Sequence, residues 1–193
     1  MIDKKNLQAL KKEFEEFENR REDLIRISRD ILKFSKHAIY NVHRNELKEA
    51  AENIKSAEKQ ISVCNKMLEK NNNLLDVNSY FASLEEYVEA KCFYSIITVK
   101  KIPTNKELGV GYDEYFLGLC DLTGELARQA VLLATKNEFN QVKLLQEIVH
   151  DIFGFFSSLD IRNGELRKKF DAVKWNLKKI EDILYDISMK KNN

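Results

Sequence analysis

Apolar residues recur at helical spacing almost from the start of this chain. Leu7, Leu10, Phe14, Phe17, Leu24, Ile31, Phe34, Ala38 and Val42 step by threes, fours and sevens, which predicts one long amphipathic helix from about residue 3 to 43. At 1.5 Å per residue that helix is roughly 60 Å long. It outreaches a compact domain of this size, so part of it is expected to pack against another subunit. Leu47, Ala50, Ile54, Ala57, Ile61, Cys64 and Leu68 predict a second helix, ended by Asn71-Asn-Asn73 because asparagine favours turns and caps. A third begins near Asn78 or Ser79, both good N-caps. Its far end, Phe93-Tyr-Ser-Ile-Ile-Thr-Val99, is β-branched and aromatic and could pass for a strand; no partner strand is evident, so the helical reading is kept. Lys100 to Asn105 and Gly109 to Gly111 bracket a loop, with a short helical turn at Asn105–Leu108, expected to be a mobile flap or an exposed protease site.

A further helix is predicted over about 112 to 136, and another over roughly 138 to 158 that buries Val142, Leu145, Ile148 or Val149, Ile152, Phe155 and Phe156. After a turn at Asp160–Gly164, Leu166, Phe170, Val173, Leu177, Ile180, Leu184 and Ile187 form an unbroken ladder suited to bundle or coiled-coil packing. The pattern implies an all-α fold, an antiparallel bundle of about six to seven helices that oligomerises, with residues 1–193 forming a single domain.

Composition narrows this picture. Charged residues make up 33% and apolar ones 44% of 193 residues, with one proline and six glycines, which describes an ordered globular chain. The net charge of +1 excludes a uniformly basic protein, so nucleic-acid affinity has to come from local patches. Cys64, Cys92 and Cys120 fall at or beside apolar positions without metal-ligand spacing and read as reduced and structural. The first residues run directly into charged helix, and no apolar run approaches the roughly 18 residues of a membrane span. A cytoplasmic protein without membrane contact is therefore expected. No Ser-His-Asp or Cys-His arrangement, phosphate-cradling glycine loop or zinc-spaced set is present, which removes most familiar hydrolase classes.

Two carboxylate pairs carry the candidate chemistry. Asp121 and Glu125 lie one turn apart beside Phe116, Leu117 and Leu122; Glu86 and Glu89 share a face beside Leu84, Tyr87, Val88 and Cys92. Such pairs either ride on the rim of a buried face or hold a cation. Four carboxylates without histidine form a hard-oxygen set that suits Mg²⁺ or Mn²⁺ better than zinc. Gly118 and Gly124 interrupt the same helix, each costing up to about 1 kcal/mol against alanine, offset by a close helix approach, by room for a ligand, or by ordinary tight packing. On the first helix, Arg29, Lys33, Lys36, His37, His43 and Arg44 with Tyr40 among them form a basic stripe. Such a stripe either follows a phosphate backbone while stacking a base or is simply a solvated charged face. His150 stands alone and reads as structural. If the four acids only repel one another, neutralising Asp121 or Glu125 leaves the metal-free protein equally or more stable.

The words Glu86-Tyr-Val-Glu-Ala90 and Leu117-Gly-Leu-Cys-Asp-Leu-Thr-Gly-Glu-Leu126 resemble the translin/Trax family, and more closely its Trax side. Leu24-Ile-Arg-Ile-Ser-Arg-Asp-Ile31 with Ser35, Lys36 and Val42-His-Arg44 is similar to the family's first helix. Glu165-Leu-Arg-Lys-Lys-Phe-Asp-Ala-Val-Lys174, running on to Lys179-Ile-Glu-Asp-Ile-Leu-Tyr-Asp186, is similar to its last. The resemblance implies that Glu86, Glu89, Asp121 and Glu125 form a divalent-metal site cleaving single-stranded RNA endonucleolytically. Translin-type subunits lack this full set and bind single-stranded RNA or DNA without catalysis, which is the alternative function. The resemblance also implies a hollow octamer with RNA inside. Eukaryotic Trax works with translin; this shorter chain, without the longer insertion before the Asp-Leu-Thr-Gly-Glu helix, looks like the simpler prokaryotic type, so either a homo-oligomer or a hetero-oligomer with a translin-like subunit is expected.

Overall fold

The computed structural model describes residues 3–70 and 78–191. Its helices are α1 (Lys4–His43), α2 (Leu47–Lys70), α3 (Asn78–Val99), α4 (Asn105–Leu108), α5 (Tyr112–Thr135), α6 (Phe139–Ser157) and α7 (Glu165–Lys191), with no strand among the described residues. The asparagine run 71–73 lies outside them. α1, α2 and α3 pack together at one side, and α5, α6 and α7 at the other; the two groups meet where α3 lies against α5.

α1 starts where the Asp3 carboxylate accepts the backbone N–H of Lys5 at 2.9 Å and of Asn6 at 3.3 Å, which satisfies two amides that have no partner within the helix. It ends at His43, and two residues on, Asn45 takes a left-handed φ of 62°. Its core-facing residues begin only at Leu24 and run through Ile27, Ile31, Ala38, Ile39 and Val42. Leu7 and Leu10 are each 51% exposed and Phe14 63%, so the first third of the helix leaves its apolar side uncovered by the described residues.

α3 is enclosed by α1, α2 and α5. A helix covered on several sides loses its polar face, which accounts for the apolar residues up to Ile96: Phe93 and Ile96 are fully buried, whereas Val99 at the helix end is 66% exposed. Gly118 brings α5 onto it: a Cβ there would stand 2.7 Å from the Glu85 carbonyl oxygen and 2.7 Å from the Val88 Cβ. At Gly124 a Cβ would meet only the Asn176 amide at an ordinary 3.7 Å. Close approach therefore accounts for the first glycine and not for the second.

The segment between α3 and α5 is pinned, contrary to the expected flap. Thr104 and Glu107 cap α4 reciprocally, Leu108 is buried, and the Tyr115 hydroxyl donates to the Pro103 carbonyl at 3.0 Å. In α6 the expected core residues are buried except Phe155, which is 45% exposed and packs edge-on against Phe116 and Phe156. Cys64, Cys92 and Cys120 are free and buried; burial pushes their thiols up to about 11, about 12 and about 12. No helix among the described residues is long and apolar enough to cross a membrane.

Candidate functional site

The close α3–α5 contact sets Glu86 and Glu89 across from Asp121 and Glu125. All four line one cleft of about 560 Å³, completed by Cys120 and Gly124 of α5 and by Lys168, Lys169, Ala172 and Asn176 of α7. Asn176 is fixed by donating to the Thr123 hydroxyl at 2.9 Å, which ties α7 to the acidic helix.

The four acids differ in environment. Glu89 is 8% exposed; burial first, then the neighbouring charges of Glu86, Asp121 and Glu125, push its carboxyl up to about 9. Burial also raises Glu86, opposed chiefly by the positive charge of Lys36. Glu125 moves the other way, held below its ordinary value by the hydrogen bond from His43 despite burial. Arg128 adds a weaker contact at 3.8 Å. Mutual repulsion, expected for all four, is therefore felt chiefly by Glu89, whereas Glu86 has the charge of Lys36 nearby, Asp121 is bonded to Lys169 and Glu125 to His43.

Those partners come from other helices. Lys169 of α7 donates to Asp121 Oδ2 at 2.6 Å and to Glu85 Oε2 at 2.9 Å. Hydrogen bonds to these two acids raise the ammonium's pKa although burial works against its charge. Glu85 itself is raised by burial and lowered by Lys169. On the opposite flank, His43 Nε2 meets Glu125 Oε2 and Nδ1 lies 3.1 Å from Gln129 Oε1.

Arg29, Lys33, Lys36, His37, Tyr40 and Arg44 are exposed along α1, and Arg44 lies over the Tyr40 ring at 5.5 Å. His43 departs from this stripe. Its side chain is only 5% exposed and its ring packs on Phe93 at 4.8 Å, because position 43 falls at the edge of the face that holds Ile39 and Val42. The helical period alone groups it with the basic residues; the α5 carboxylate that turns it inward is more than eighty positions away. Glu85 and Lys169 were equally hidden in the sequence, one beside a better-placed glutamate and the other inside a run of charges.

As the side chains stand, no three His, Cys, Asp or Glu residues among those described are gathered to hold a metal ion. Lys169 and His43 engage Asp121 and Glu125 individually. The donor chemistry still fits a hard divalent cation: several carboxylates line one partly buried cleft, where burial and, after it, their negative charge push the Glu89 carboxyl up.

The Translin family model matches residues 19–191. The chain belongs to the Translin family. It is 29% identical to Translin of Gallus gallus over 116 residues, covering 58% of this chain and 51% of that protein; the match spans about half that relative's length. It is 25% identical over 197 residues to the Translin-associated protein X homolog of Schizosaccharomyces pombe, covering 92% of this chain and 84% of that one. Among solved structures, apo-NeC3PO superposes with a TM-score of 0.86 at 26% identity, covering 96% of this chain and 97% of that chain. The AfC3PO–duplex RNA complex shares the fold with a TM-score of 0.79 at 22% identity, covering 97% and 99%.

Proposed function

We propose that this Translin-family chain is a divalent-metal-dependent endoribonuclease acting on single-stranded RNA. The observation that carries the reading is the meeting of Glu86, Glu89, Asp121 and Glu125 in one cleft, beside a basic helix whose Lys36 acts electrostatically on Glu86. The four acids would hold Mg²⁺ or Mn²⁺, and Glu89, protonated near neutral pH in the metal-free fold, would give up its proton on binding. When bound, the ion supplies Lewis-acid polarisation of the scissile phosphate and eases deprotonation of the attacking water. Arg29, Lys33, Lys36, His37 and Arg44 would follow the RNA backbone and Tyr40 would stack a base. RNA contact is supported by the likeness to AfC3PO, which has been solved with duplex RNA. A single strand is favoured as the cleaved substrate because its backbone bends into a recessed cleft more readily than a rigid A-form helix does.

The second reading is a nucleic-acid-binding oligomer without catalysis. It is favoured by the pairing of Asp121 with Lys169 and of Glu125 with His43, and by the similarity to Translin. Labelled single-stranded and duplex RNA, incubated with Mg²⁺, with EDTA, and with Glu89→Ala protein, separates the two. Cleavage of the single strand that disappears with EDTA and with the substitution supports the nuclease; tight binding with intact RNA under every condition supports the binder.

A further inference from the structure

The two acids of α5 are drawn to opposite flanks of the cleft, Glu125 to His43 on α1 and Asp121 to Lys169 on α7. The Lys169 side chain is 22% exposed and its second partner, Glu85, 15%. An ammonium in that setting cannot be left without a counter-charge, because an unpaired, partly buried charge is strongly unfavourable. A cation entering beside Asp121 therefore meets a resident positive charge 2.6 Å from the carboxylate oxygen. The ammonium has another acid within hydrogen-bond reach at 2.9 Å, and its flexible four-carbon stem allows it to rely on that acid alone.

We propose that Lys169 is the built-in counter-ion that a divalent cation displaces from Asp121, and that Glu85 is the group that retains it, so that this pair sets the cleft's affinity for metal. The proposal rests on the metal-site reading above and assigns two residues outside the four acids to positioning roles. Lys168 provides an internal comparison. It carries the same charge and lines the same cleft, without the ion pairs that Lys169 makes.

The test is calorimetric titration of the EDTA-stripped full chain with MnCl₂, with melting curves recorded for each variant. Lys169→Met is expected to bind Mn²⁺ on the order of tenfold more tightly than wild type, the worth of one charged hydrogen bond. Lys168→Met should shift affinity by about twofold at most, and Lys169→Arg should retain the wild-type value. Glu85→Gln should weaken binding in the wild-type background and have little effect when combined with Lys169→Met, since without the ammonium there is nothing to retain. Lys169→Gln carries the same expectation should the methionine variant fold poorly. Tightening no greater than in Lys168→Met, or an equal Glu85→Gln effect in both backgrounds, overturns the proposal while leaving a metal-binding wild type intact. Folded wild type and variants that all fail to bind Mn²⁺ overturn the metal reading of the cleft and the proposal with it.

Discussion

At the scale of single residues, the acids of the cleft work against each other in their effect on stability. Glu89 titrates at about 9 in the folded chain against an ordinary 4.5. The folded state therefore binds the extra proton across that window, and metal-free stability falls as pH rises through it. Each unit of such a shift corresponds to about 1.4 kcal/mol, so Glu89→Gln should stabilise EDTA-treated protein by more than about 1 kcal/mol near pH 8, with the gain shrinking towards pH 5. Urea denaturation across that range checks this. Glu125 has the opposite sign. Its pKa is lowered by His43, so its contribution is present above the unfolded carboxylate value and is lost as pH falls through the folded one. Glu125→Gln should destabilise the metal-free protein by about 1–3 kcal/mol at neutral pH; an unchanged midpoint would mean that the His43 contact contributes nothing.

At the scale of elements, two glycines of one helix make a paired prediction. Gly118→Ala forces a methyl against the Glu85 carbonyl and Val88, pushing α3 from α5, and should cost about 1–3 kcal/mol while disturbing the cleft that both helices line. Gly124→Ala meets only an ordinary contact and should be neutral or stabilising by up to about 1 kcal/mol through helix propensity. Thermal melts of both proteins decide the matter. The exposed stripe of α1 supplies a second test at this scale. Lys33→Ala with Lys36→Ala should weaken binding of single-stranded RNA and lower the slope of log affinity against log salt by about one to two; an unaltered slope marks the stripe as a solvated face.

For the whole molecule, uncovered apolar surface argues for assembly. Leu7, Leu10 and Phe14 on α1 and Trp175, Tyr185 and Met189 on α7 are exposed, a large apolar area for a protein working alone. Native mass spectrometry at micromolar protein is expected to give a closed oligomer, with an octamer as the leading mass. A spectrum of monomer alone removes this expectation, and with it the enclosed arrangement of RNA.

The helices were legible in the sequence because local periodicity and capping determine them. The ladder from Leu166 to Ile180 and the short helix Asn105–Leu108 depend on residues within a few turns of one another. The acids Glu86, Glu89, Asp121 and Glu125 were legible as two pairs for the same reason, since three- and four-residue spacing fixes a shared face. Which charges those acids meet depends on contacts across α1, α5 and α7, separated by dozens of residues. Thus the inward turn of His43, the bridge from Lys169 to Asp121 and Glu85, and the elevation of Glu89 appear only once the helices are packed. Pairing and desolvation are properties of three-dimensional proximity, and no local pattern encodes them.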